Sequence, residues 1–426
     1  MKSTTGFCLL VATVVLLPGC GLLPPFAPEE PCGPDSGNVG ELLVFSAVTT
    51  DPDGQDVSFC FDWGDGTRSD WTRFVPGGQP VQAFKCWADP GTYKVRAQAR
   101  DPLGMVSCWS AAHSLAVARR PGGYPDEVVG TVSTGVSPFS LCVLPDGRYV
   151  YVCNRDGTVS VVCVRTLAVV ATVRTGTGTA FCCALPGSDF VYVTDEDRTV
   201  HVVRTWDNSV VAQVTVGAHP LGIAAAPDGR HVYVGNWDDG TVSVIRTADN
   251  TVVATVECGM HPWGLTVSPD GQYLYTGNGH TDDVSVIRTL DNTLVANVPI
   301  AHGPGDNAIT PDGRWLWQSC GYNHVGVVDL RSRSVSGYVP FGTYAQGIRF
   351  LPGGEYCYVA DYRGDSLGVV RASDRTIVDY VNLGTISDHV AVHPEGALVF
   401  VTCPSIGGIR VIGYGKGRGE EAVAGY

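Results

Sequence analysis

Charge is in short supply in this sequence. Asp, Glu, Lys and Arg make up 16% of 426 residues, against about a quarter in an ordinary soluble domain. Helix-rich enzymes need charged solvent faces, so the shortage argues against them. Basic residues are scarcer still, 28 against 42 acidic ones, for a formal net charge of −14. That balance repels phosphate backbones, and no nucleic-acid partner is expected. The 15 cysteines include no C-x-x-C pair, no C-x-x-C-H haem attachment and no zinc spacing, so no metal site or cofactor is expected. Beyond the N-terminal stretch, no run is apolar for long enough to cross a bilayer. What is abundant is glycine, 53 residues, alongside 44% hydrophobic content. Together they point to an all-β chain with many tight turns and ample core material.

Residues 1–20 read as an address. Lys2 supplies a positive start, Phe7 to Leu17 form an apolar run of 11 residues, and Leu17-Pro18-Gly19-Cys20 follows. The run is too short to span a membrane but suits a secretory signal. The segment resembles the bacterial lipoprotein signal, which implies lipid attachment at Cys20 and a chain held by its lipid in the cell envelope. Residues 21–31 (GLLPPFAPEEP) read as a proline-stiffened tether. With Cys8 removed and Cys20 lipidated, 13 of the 15 cysteines are left. An odd number in an oxidising compartment implies a free thiol.

From residue 32 to 118, short alternating runs at Leu42–Ala47, Val57–Trp63, Gln82–Trp87 and Thr92–Ala99 predict an immunoglobulin-like sandwich of roughly seven strands. Phe61-Asp62-Trp63-Gly64-Asp65-Gly66-Thr67 and Pro90-Gly91-Thr92-Tyr93-Lys94-Val95 resemble the paired motifs of the PKD domain family. That family serves as spacer and interaction module, so the resemblance implies no chemistry. Asp51-Pro52-Asp53-Gly54-Gln55-Asp56 lacks complete calcium-loop spacing and reads as a solvated turn. Cys60 with Cys86, or Cys32 with Cys108, are open alternatives for a bridge.

After a linker at 119–125, Pro-Asp-Gly-type turns recur at 145, 186, 227, 269, 311, 352 and 394, spaced by 41, 41, 42, 42, 41 and 42 residues. Four short strands per period make propeller blades. In one unit the strands fall at Ile223–Ala226, His231–Gly235, Thr241–Arg246 and Thr251–Glu257. Asp-Asn pairs at 207–208, 249–250 and 291–292 predict two-residue hairpins. Asp126–Thr134 looks like an outer strand without its blade, while Asp388–His393, Leu398–Thr402 and Gly408–Tyr414 look like three strands lacking the fourth. Pairing the two ends completes a seven-bladed propeller over 126–415, with 416–426 left as a tail, and hides both sheet edges. Units such as Val232-Tyr233-Val234-Gly235-Asn236 and Thr241-Val242-Ser243-Val244-Ile245-Arg246-Thr247 resemble the YVTN β-propeller repeat family. The resemblance implies a secreted or surface binding scaffold and names no reaction.

Two loop sets alternate along the array. Pro-Asp-Gly and Asp-Asn hairpins share one near-uniform rim. The opposite rim carries the variable loops and is the expected functional face. His219 and His261 occupy equivalent positions there, in Gly-Ala-His-Pro and Gly-Met-His-Pro. With Trp237, Asp238, Trp263, Asp306, Asn307, Asp388 and His389 they form the candidate ligand-binding set. Two loop histidines without a third ligand at the right spacing are no metal centre, and no catalytic set is complete. Cys320 and Cys403 replace the Asn or Asp at 154, 195, 236, 278 and 361, and are expected to be structural thiols. The expected function is therefore non-enzymatic, with an envelope protein or glycan as partner. The alternative is a lactonase-like or metal-dependent propeller enzyme with its site at the channel mouth. A redox-partner role stands third, weakened by the missing haem motif. One test bears on the anchor: Cys20→Ser is expected to move the protein from the membrane fraction into the aqueous phase of a detergent partition.

Overall fold

The computed structural model describes residues 23–38, 43–85, 87, 90–118 and 123–414. Cys20, Cys86 and the 416–426 tail lie outside them. The described residues form β-strands and turns, with one three-residue 3₁₀ turn at Pro404–Ile406 and no α-helix. They divide into two compact units, the first ending at Ala118.

The first unit is the sandwich. Ser36–Asn38, His113–Ala118, Gly91–Arg100 and Ser58–Asp62 make one sheet in that order, and Leu43–Ala47 pairs with Val81–Lys85 in the other. Six strands are described where roughly seven were expected, because several expected edges close through single bridges such as Val57 with Val75. Between the sheets lie Phe45, Phe59, Phe61, Trp63 and Trp87. Trp63 stacks on Phe61 at 5.3 Å and meets Trp87 edge-on at 6.0 Å. Gly64 turns at φ 77°, where a Cβ would strike the Lys94 amide at 2.6 Å, so only glycine fits. Asp51 is buried rather than solvated: one carboxylate oxygen accepts the Asp53 and Gln55 amides and caps the turn from inside. Cys32, Cys60 and Cys108 are free thiols. The Cys60 thiol is raised by burial and bonds the Ser69 carbonyl.

The second unit is the propeller. Six blades follow in sequence, with inner strands Pro138–Val143, Thr179–Ala184, Pro220–Ala225, Pro262–Val267, Pro304–Ile309 and residues 345–350. One continuous strand, Ser334–Phe350, serves as the outer strand of blade 5 and the inner strand of blade 6. Blade 7 is composite. Val390–Val392, Val399–Cys403 and Gly408–Gly413 are completed by Glu127–Ser133, with Ile409 opposite Val132 and Val411 opposite Gly130. The strands follow from their sequences. Second and third strands such as His231–Asn236 and Thr241–Arg246 are buried on both faces and read Val-Tyr-Val and Val-Ser-Val-Ile. Outer strands such as Thr251–Glu257 are mostly exposed. Bulges recur between third and outer strands, as at Val244/Ile245, and twist each blade for packing against the next.

The Asp-Asn loops differ from the expectation. Only the Asn is left-handed, at φ 57°, 56° and 55° for Asn208, Asn250 and Asn292. The third strand ends at Arg204, Arg246 or Arg288, so each loop has four residues rather than two. The Asp residues instead fasten the loop to the strand before it. Asp207, Asp249 and Asp291 each grip the arginine three residues earlier and the Ser or Thr two residues later. The Asn also ties blades together, since Tyr151 donates its hydroxyl to Asn208 at 2.7 Å and Tyr192 to Asn250 at 2.5 Å. Where Arg333 and Arg375 replace the Asn, their guanidinium groups lie over Tyr273 and Trp315, at 5.3 and 5.2 Å.

In blades 1, 2, 3 and 6 the last residue of the second strand pins the loop that enters the blade. Asn154 and Asn236 accept the amides of Gly135 and Gly217, while their side-chain NH₂ donates to Ser160 and Ser243. Blade 2 has Asp195 and His201 in these two places. Asp195 accepts the Thr177 amide, and the His201 ring lies 3.7 Å from its carboxylate. The substitution has a cost: His201 is buried and its Nδ1 has no partner.

Two outcomes follow from this frame. A chain starting at Gly135 lacks the strand that completes blade 7 and leaves Gly408–Gly413 as an open edge. It is expected to aggregate and lose its sharp melting transition, whereas one starting at Ala118 stays monodisperse by size-exclusion chromatography and melts cooperatively. The second concerns pH. Burial lowers the His201 pKa, against the opposing pull of Asp195. A histidine with a lowered folded pKa stabilises fully above its unfolded value of about 6.5 and loses that contribution as pH falls through the folded value. Asp195→Asn/His201→Ser rebuilds the pair of blades 1 and 3. It is expected to raise the melting temperature by a few degrees, for about 1 kcal/mol of recovered hydrogen bonding, and to flatten its decline below pH 6.

Candidate functional site

The loops that enter each blade, and those joining second to third strands, meet at the variable rim. His219 and His261 adopt left-handed backbone, φ 51° and 60°, immediately before the prolines that start inner strands 3 and 4. Their carbonyls accept the amides of Trp237 and Gly279, which fixes both loops in the same shape. Trp237 is the centre of this cluster. Its ring is stacked on His261 at 4.3 Å and 7°, edge-on to Trp263 at 5.1 Å, and 6.5 Å from His219. His280 adds a third imidazole, 5.1 Å from His261. Asp238 is exposed and 3.7 Å from His219 Nδ1.

The remaining candidates lie deeper, with Trp263 bridging the rim cluster and the interior. Trp263 and His389 belong to a plug of rings inside the channel, with Phe139 and Phe181. Neighbouring centroids in the plug are 4.8 to 6.0 Å apart. Arg155 covers Phe139 at 4.0 Å and pairs with Glu196 at 2.8 Å. His389 Nδ1 meets the Phe139 carbonyl at 2.9 Å, while its Nε2 and the Trp263 indole nitrogen are buried without partners. Asp388 lies 3.0 Å from His389 Nδ1 and is buried. Asp306 and Asn307 are buried in the channel wall, where Asp306 pairs with Arg349 at 2.7 Å. The expected set is thus two groups: a rim cluster of His219, Trp237, Asp238 and His261, and interior residues Trp263, Asp306, Asn307, Asp388 and His389.

Sequence reasoning missed the second rim cluster. Tyr322, Tyr344 and Tyr362 form a row of rings, with centroids 5.6 Å apart for the first pair and 5.9 Å for the second. Arg363 covers Tyr322 and Tyr344 at 5.5 and 5.1 Å. Tyr322 is 59% exposed and Tyr362 40%. No repeat position joins them, because Tyr322 opens the third strand of blade 5, Tyr344 lies in the strand shared by blades 5 and 6, and Tyr362 starts the loop after the second strand of blade 6. Phe139 and Phe181 were missed for the same reason, since they enter the plug from non-equivalent places on their strands.

Cys320 and Cys403 sit at the rim ends of their strands but are fully buried, and burial pushes their thiols up to about 12 and about 11. They are thiols at neutral pH and serve as packing. Cys142, Cys182 and Cys183 are likewise raised, Cys142 first through its contact with Cys182 and the other two by burial. No cluster of three His, Cys, Asp or Glu with metal-binding geometry occurs among the described residues.

Comparison with known proteins supports the two-part architecture. The PKD domain family matches residues 30–113, the Cytochrome D1 heme domain family residues 190–311, and the WD domain, G-beta repeat, residues 129–162. No curated protein matches the chain. Among solved structures, Kuenenia stuttgartiensis Hydrazine Synthase is 19% identical with a TM-score of 0.61, over 66% of this chain and 96% of that one. The Myceliophteria thermophila Cps50 (Swd1) beta-propeller domain is 14% identical, also at 0.61, over 68% of this chain and 100% of that one. At these identities the likeness shows the fold alone. The chain thus has a segment matching the PKD domain family followed by a β-propeller fold.

Proposed function

We propose that this is a lipid-anchored protein of the bacterial cell envelope, facing the periplasm or the exterior, whose propeller binds a glycan or protein partner through its variable rim. The observation that carries the reading is the pair of aromatic clusters there, Trp237 with His219, His261 and His280, and Tyr322 with Tyr344, Tyr362 and Arg363. They spread over blades 3 to 6 and do not converge on one reacting centre. Flat rings offer stacking faces to sugar C–H surfaces and large contact area at low entropic cost to a protein. Carboxylates beside them, Asp238 and Asp239, accept hydroxyl or amide donors. No helix among the described residues is long and apolar enough to cross a membrane.

The match to a heme domain raises a cofactor reading, and the channel residues do not fit it. Phe139, Phe181, Trp263 and His389 pack edge to face, at contact distances that leave no slot for a flat macrocycle. We derive no heme chemistry from it.

Screening on a glycan array, followed by surface plasmon resonance, tests the rim. Trp237→Ala, Tyr322→Ala and Tyr362→Ala are each expected to weaken binding about tenfold or more, with little change in melting temperature for the two tyrosine variants. Glycan binding unchanged in all three variants would overturn the rim assignment. Silence on the array, together with rim-dependent capture of an envelope protein, selects the protein partner.

A further inference from the structure

Behind the plug, the channel opens to the opposite face. A cavity of about 400 Å³ enters from the Pro-Asp-Gly rim, between apolar walls that include Leu265, Ile309, Phe350 and Val392. The volume is that of a small-molecule site. One wall position breaks the pattern. Three residues before each turn, six blades carry Cys, Ala or Thr, from Cys142 to Ala391, while blade 6 carries Arg349. Its partner is Asp306 on the neighbouring inner strand, at a position that varies between blades (Ser140, Phe181, Gly222, Gly264, Gly347 and His389) and carries a carboxylate only here.

Asp306 is 3% exposed, whereas the Arg349 side chain is 37% exposed and lines the cavity. Arg349 Nη1 donates to Asp306 Oδ2 at 2.7 Å and to the Ile348 carbonyl at 2.6 Å, and Asp306 also accepts the Ile348 amide at 3.2 Å. One nitrogen of the fork is thereby fixed. Among the described residues no hydrogen bond engages Nε or Nη2. The fold gives no reason for such a pair. Apolar side chains of similar volume would close the wall at no loss, because desolvation of two charges offsets most of their attraction. A second observation lies beside it. Asn307, also lining the cavity, donates to Gly264 and Gln318, and its buried Oδ1 is left without a partner.

We propose that this cavity binds a small organic carboxylate with an apolar body. The carboxylate lies against the free edge of the Arg349 fork, which suits its planar geometry. The body lies on Leu265, Ile309 and Phe350. A bare multivalent anion fits less well, since apolar walls would strip its water without replacing it. The site is independent of the rim, which faces the other way.

Titration calorimetry on the full chain in detergent, with benzoate and hexanoate as probes, tests it. Both acids are expected to bind at least about tenfold more tightly than benzyl alcohol, hexanol or inorganic phosphate. Asp306→Asn/Arg349→Gln removes both charges together and leaves no unpaired buried carboxylate. It is expected to keep its melting transition and lose at least about tenfold in acid affinity. Ala308→Leu fills the cavity with the ion pair intact and is expected to abolish binding, so it carries the test should the double variant fail to fold. Unchanged acid binding in a folded double variant or in Ala308→Leu would overturn the proposal. So would alcohols or phosphate binding as well as the acids, or no acid binding up to about 10 mM.

Discussion

The pairing of Glu127–Ser133 with Gly408–Gly413 joins the first propeller strand to the last, and every blade interface depends on it. A blade buries its middle strands only against neighbours on both sides. Val132 and Ile409, from opposite ends of the unit, share one core with Leu141 and Val150 of blade 1 and Phe400 of blade 7. Without the pairing, that core loses a wall and the ring gains two open edges. The Tyr–Asn ties and the arginines over Tyr273 and Trp315 add to an arrangement that closure has already set.

The closed ring divides the molecule's chemistry between two faces. On the variable rim, anchoring residues such as Asn154, Asn236 and Asp361 hold the entry loops by their amides, so the side chains above them are free to differ. Aromatic groups accumulate there. Inside, the rings of Phe139, Phe181, Trp263 and His389 pack edge to face between the two ends. The ion pair of Asp306 and Arg349 belongs to the other face. A repeat fold states its structural needs seven times over, and the Asp306–Arg349 pair, unlike Asp195–His201, stands where no loop anchor requires it.

The fold was legible in the sequence because its signals repeat. Seven turns at a nearly constant spacing, with a lone strand at one end and three strands lacking a fourth at the other, specified blades and closure without any long-range contact being known. The sandwich was legible through two short motifs. The site was legible only in part. His219 and His261 stood out through their equivalence, and what that equivalence fixes is a shared backbone shape, while the stacking of His261 on Trp237 comes only with the fold. Tyr322, Tyr344 and Tyr362 have no common repeat position, and only folding brings them together. The depth of Asp306 was hidden because the bulge in its inner strand shifts which residue faces the channel, and Asp388 and His389 lie just before the inner strand of blade 7, where no strand alternation applies. Similarly, the Asp-Asn loops looked like two-residue hairpins because the arginine that Asp holds lies three residues upstream, outside the dipeptide.

Closure is the claim on which the rest stands, and hydrogen exchange on the intact protein measures it directly. If Glu127–Ser133 completes blade 7, the amides of Ile409 and Val411 exchange as slowly as those of Val242 and Val244 in blade 3, through the same global opening. Fast exchange at residues 408–413 and 127–133, with blades 1 to 6 still protected, would contradict it.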